Sequence, residues 1–111
     1  MTLSVIAYLR LEDGSTHDLI EIGSPESMAG VESYRLSFYG SAEMRALGAT
    51  LLPQLHHTDL WVEKEELNQL KSEVEQALKH FDQNESYSHR LKNILAAINL
   101  AKEKEGGVHI G

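Results

Sequence analysis

The chain has 111 residues, no cysteine, and 10 basic against 17 acidic side chains, for a net charge of −7. That length suits one domain over residues 1–111, with a core large enough to fold without metal or disulfide support, and the lack of thiols excludes disulfide scaffolds, Cys-ligated zinc and thiolate catalysis. Overall negative charge repels phosphate and argues against nucleic acid as a partner, while apolar runs far shorter than the ~18 residues of a spanning helix argue against a membrane.

The N-terminal residues lack the ordered basic, apolar and small-residue regions of a secretion signal, so cytoplasm is the expected compartment. Over residues 2–11, Leu3, Val5, Ala7 and Leu9 alternate with Ser4, Ile6, Tyr8 and Arg10, and the first set reads as the buried face of a strand. Glu12, Asp13, Gly14 and Ser15 supply turn chemistry, because Asp13 can bond its own backbone and Gly14 accepts positive φ. A hairpin partner over 17–22 follows. Residues 23–30, with Pro25 and two glycines, read as a surface loop, and 33–39, rich in aromatic residues and closed by Gly40, reads as a third strand. The expected first half is a three-stranded antiparallel meander.

From Ser41 the spacing changes to steps of three and four: Met44, Leu47, Leu51, Leu52 and Leu55. Ser41 suits a helix N-cap and Glu43 its first turn, but Gly48 and Pro53 oppose continuation, so the helix should be short and broken near 48–53. Leu60, Trp61 and Val62 suit a short extended segment. Beyond it, Leu67, Leu70, Val74, Ala77, Leu78 and Phe81 form one helical stripe, and Tyr87, Leu91, Ile94, Leu95, Ile98 and Ala101 form a second. The short connector over 82–86 makes the two helices antiparallel neighbours. Gly106 and Gly107 end the second helix and leave room for a short C-terminal strand at 108–110. The expected class is α+β, with the helix pair packed on one face of the sheet.

Candidate chemistry is sparse. His56, His57, Thr58 and Asp59 combine two imidazoles with a carboxylate, yet adjacent strand side chains point apart and four ligands are not in view. His80 and His89 lie near the ends facing the inter-helix connector, His17 adjoins Asp18, and His109 has no visible partner. Glu63, Glu65, Glu66, Glu73 and Glu75 read mostly as the solvated face of a helix. Gly40 and Ser41 read as a cap rather than an anion site. Arg90, Lys92, Lys102 and Lys104 lie in the only mildly basic stretch, where residues 86–111 carry four bases and two acids. They lack the aromatic ladder on which nucleic-acid bases stack. Nucleophile elbow, Walker loop, dinucleotide-binding glycines and His-Glu-x-x-His are all absent from the sequence.

The expected function is therefore a small acidic, soluble protein–protein interaction module without catalysis and without a cofactor or metal, binding a protein partner or a second copy of itself. Its expected contact residues are Tyr39, Asp59, Trp61, Glu63 and Glu66, because aromatic side chains dominate binding hot spots and residues 59–85 carry eight acids against three bases. In size and charge alone the chain resembles small acidic immunity proteins that block basic toxins; an accessory protein is an equivalent role. The alternative is a small-molecule or metal-binding domain, or an enzyme, with a pocket between sheet and helices that uses His56, His57, Asp59 or Tyr39.

Overall fold

In the computed structural model, which describes residues 2–111, the alternating N-terminal segment forms strand β1 (Thr2–Arg10). Leu3, Val5 and Ala7 point to one side and are fully buried. The turn behind β1 uses the expected chemistry: the Asp13 carboxylate accepts from the Ser15 N–H at 2.9 Å and from its hydroxyl at 2.6 Å, and Gly14 takes φ 89°. Strand β2 (Thr16–Asp18) pairs back on β1 but is short, since the chain turns again between Glu21 and Ser24.

The third strand is not at 33–39. Strand β3 (Met28–Val31) begins within the segment expected to be a loop and runs one residue past it, and Arg35–Tyr39 winds into a single π-helical turn. The physical reason is that Phe38 and Tyr39 are consecutive and both fully buried, whereas a strand sends neighbouring side chains to opposite faces. Winding lets Phe38 stack on Tyr87 at 3.9 Å and 9° and meet Phe81 edge-on at 5.0 Å. It also lets the Tyr39 hydroxyl donate to the Ala29 carbonyl at 2.6 Å.

Helix α1 (Ala42–Ala46) is capped by Ser41, whose hydroxyl accepts from the Met44 N–H at 3.1 Å. It stops at Gly48, with φ 89°, and a 3-10 turn over Leu52–His56 carries Pro53. Strand β4 (Leu60–Glu63) then leads into α2 (Glu66–His80), α3 (Glu85–Glu103) and strand β5 (Gly107–Ile110). Asn84, within the expected connector, caps α3 by accepting from the Tyr87 N–H.

The five strands form one antiparallel sheet of order β2-β1-β5-β4, with β3 also on β1. Ser4 pairs with Met28 of β3 and exchanges backbone bonds with Gly111 beyond β5, so β3 shares the β2 side of β1. The third strand thus returns to β1 instead of extending from β2. On the buried face, Leu3, Val5 and Ala7 join Leu60, Val62, Val108 and Ile110 beneath the antiparallel helix pair, α3 over β1, β3 and β5, and α2 beside β4. The stripes of both helices close this core: Leu67, Leu70, Val74 and Ala77 face Leu91, Ile94, Ile98 and Ala101, all buried.

One acid departs from the expected solvated face. Glu73 is only 9% exposed. Its carboxylate accepts the N–H groups of Leu51 and Leu52 at 3.0–3.1 Å and the Gln69 amide at 3.1 Å. It thereby satisfies the free donors at the start of the Pro53 turn, which no side chain within that turn does. Among the described residues, no helix is long and apolar enough to cross a membrane.

Candidate functional site: the open face of the sheet

The face opposite the helices is built by strand register. Ile6 of β1, His109 of β5 and Trp61 of β4 lie in one cross-strand row, and Tyr8, Gly107 and Glu63 lie in the next. Side chains within a row project to the same side of the sheet. Asp59, two residues before Trp61, adjoins Gly111: a Cβ there would meet its carboxylate.

Trp61 stands on the edge strand of this layer and is 55% exposed. One face of its indole stacks on the His109 imidazole, with centroids 4.0 Å apart and planes at 26°. Tyr8 meets it edge-on at 5.6 Å and 68°. These contacts fix the orientation of a ring that remains largely in solvent.

Tyr8 reaches Glu63 by passing over Gly107, and its hydroxyl donates to Glu63 Oε2 at 2.6 Å. Arg10 donates to the same oxygen from Nη2 at 2.7 Å and Nε at 3.2 Å, and its guanidinium lies 5.7 Å from the centre of the Tyr8 ring. Hydrogen bonds from Arg10, then from Tyr8, hold the Glu63 carboxyl below the usual carboxylate range. Burial, reinforced by Glu63, pushes the Tyr8 phenol up to about 12. Tyr8 is therefore a donor, held neutral, and not a base.

On the other flank, Asp59 Oδ1 accepts from Arg35 Nη2 at 2.7 Å. Arg35 also donates to Glu32 and to the carbonyls of Leu55 and Thr58, tying the π-turn to the residues before β4. The Arg35 hydrogen bond holds the Asp59 carboxyl low. His109 Nε2 lies 3.4 Å from Asp59 Oδ2, and this buried nitrogen makes no hydrogen bond among the described residues.

Of the expected contact residues, Asp59, Trp61 and Glu63 come together on this face. Tyr39 does not: it is fully buried, its hydroxyl is spent on Ala29, and it presents no surface to a partner. Glu66 is exposed in the first turn of α2. Tyr8, Arg10, Arg35 and His109 complete the face without having been singled out as contacts. The alternation of β1 placed Tyr8 and Arg10 opposite the core set, but only long-range pairing brings them to Glu63.

Elsewhere, the His56 and His57 rings stack at 4.2 Å and 27°, and His80 pairs with Glu43 rather than His89. Among the described residues, no three His, Asp or Glu side chains are grouped to hold a metal ion. Two surface depressions, one along the first turns of α3 at Ser86, His89 and Arg90, the other at Lys64, Leu67, Lys102 and Gly106, do not include His56, His57, Asp59 or Tyr39. Comparison of the chain with protein-family models, with curated proteins and with solved structures finds no match in any of the three.

Proposed function

We propose that this protein is a small cytoplasmic interaction module, without catalysis, that docks a partner protein on the open face of its sheet with Trp61 as the anchor. The observation that carries this reading is an indole 55% exposed yet held in one orientation by His109 and Tyr8. A pre-positioned aromatic side chain loses little freedom on binding and buries a large area, the property that makes tryptophan a frequent hot spot. The surrounding Arg10–Glu63 and Arg35–Asp59 pairs supply the polar rim found around such anchors. The acidic balance of the chain suits a basic partner, as an immunity or accessory role requires.

The test compares cross-linked capture from the native host by wild type, Trp61→Ala and Leu36→Ala, the last removing an equally exposed apolar side chain on the π-turn. Trp61→Ala should weaken capture about thirtyfold or more, the effect of removing a hot spot of ~2 kcal/mol, while Leu36→Ala leaves it intact. Circular dichroism should show both variants folded. Equal capture by Trp61→Ala would remove this face as the docking surface. Light scattering separates a foreign partner from a second copy, since self-association would appear as a dimer of the wild type that Trp61→Ala returns to monomer.

A further inference from the structure

The Trp61–Glu63 pair has the elements of a site for one particular kind of side chain. The near-parallel His109 ring covers one face of the indole. β4 is the terminal strand on that side of the sheet, so the opposite face of the ring looks outward past the sheet edge, in keeping with its exposure. On the same side of β4, two residues along, Glu63 receives all three of its hydrogen bonds on Oε2: one from Tyr8 and two from Arg10. Oε1 accepts none among the described residues. The Arg10 guanidinium already lies 5.7 Å from the centre of the Tyr8 ring while donating to this carboxylate. Trp61, largely exposed, and Oε1, without a donor among the described residues, supply the same two elements again, a ring face and a carboxylate oxygen.

Charge favours the same occupant. Around Trp61 the acids Asp59, Glu63, Glu65 and Glu66 stand against Lys64, Arg10 and Arg35, the last two paired with Glu63 and Asp59, and the chain as a whole carries −7. A planar cation is drawn to an indole face and to a carboxylate oxygen together, and arginine satisfies both better than lysine because its fork is flat and weakly hydrated. An extended segment laid along an edge strand presents alternate side chains to the open face.

Building on the docking reading above, we infer that the open face recognises an arginine carried by an extended segment of a basic partner lying along β4, its guanidinium stacked on the outer face of Trp61 and bonded to Glu63 Oε1. Trp61 is the only tryptophan of the chain, so its fluorescence reports the event directly. The probe is a short acetylated and amidated peptide with a central arginine between valines, compared on wild-type protein with the same peptide bearing citrulline, a neutral isostere, and with one bearing lysine. The arginine peptide should change the fluorescence saturably, in the millimolar range or tighter, and citrulline should bind about tenfold more weakly, the loss of one charge-assisted contact. Glu63→Gln should weaken the arginine peptide by a similar factor, and raised salt should weaken it further.

Equal binding of the arginine and citrulline peptides, indifference to Glu63→Gln in a variant that circular dichroism shows folded, or the absence of saturable change overturns the inference. If Trp61-dependent capture of a host protein persists in that case, the docking reading stands and only the arginine assignment falls. If capture is also independent of Trp61, both fall.

Discussion

A Cβ at position 107 would sit 2.6 Å from the Tyr8 ring and from Glu63 Cγ, which makes this the one residue of β5 whose missing side chain holds the open face together. Gly107→Ala must displace either the phenol or the carboxylate. It should cost about 1–3 kcal/mol, as steric insertions into packed sites do, measured by urea unfolding. It should also return the Tyr8 phenol toward an ordinary value. The pH dependence has a definite sign. Folding raises the Tyr8 pKa from 10.0 to about 12, so the native state favours the protonated phenol. The corresponding stability is fully present below pH ~10 and is lost as pH rises through about 12. Tyr8→Phe should remove that alkaline component from both the tyrosinate absorbance and the unfolding profile. Asp59 and Glu63 have the opposite sign: their carboxyls are held low by Arg35 and Arg10, so their contribution is present above pH ~4 and fades as pH falls through the depressed values. At this scale the sequence was half legible. Asp59, Trp61 and Glu63 are spaced by two, and that spacing alone aligns them on an extended chain, whereas Tyr39 looks equally available in the sequence and is buried only because Arg35–Tyr39 turns inward.

Among the elements, the period of the apolar residues decided what was legible. The stripes of α2 and α3 recur over several turns and are largely retained, with Leu78, Tyr87 and Leu95 half-buried at their margins and Phe81 just past the end of α2, because their burial requires only one partner surface. The segment over 33–39 had strand-forming residues and no such redundancy, and an aromatic cluster with Phe81 and Tyr87 outweighed its local preference. Glu73 escaped notice because a single acid within a helix carries no signal of what the distant chain will place beside it. Its carboxylate joins α2 to the Pro53 turn through the N–H groups of Leu51 and Leu52. Glu73→Ala strands two buried donors, each worth about 1–3 kcal/mol, and should lower stability by roughly 2–4 kcal/mol, whereas Glu73→Gln, which keeps one acceptor oxygen, should cost less. Thermal melting of the two variants distinguishes them. Equal, small losses would mean that solvent takes over the turn's donors.

For the whole molecule, the decisive fact is where the last strand goes. Chemistry at 106–110 indicated that a strand could form, but nothing local indicated that it would lie between β1 and β4, inside the sheet. Strand order depends on pairings between residues about a hundred positions apart for β1 with β5 and about fifty for β4 with β5, and such pairings leave no periodic trace. The consequence is mechanical as well as topological: Val108 sits opposite Ala7 on one side and Val62 on the other, and all three are buried under the helices. A carboxylate there has no partner and no water, and its burial costs several kcal/mol against a total stability of about 5–15 kcal/mol. Val108→Asp should therefore separate β4 from β1 and unfold the domain, with loss of the far-ultraviolet signal and of the Trp61–His109 stack. Thr16→Asp, the same charge placed on exposed β2, should change stability by no more than about 0.5 kcal/mol. The contrast follows only if β5 is interior. Were it an added edge strand, Val108→Asp would fray it and leave β1, the helix pair and most of the melting transition in place.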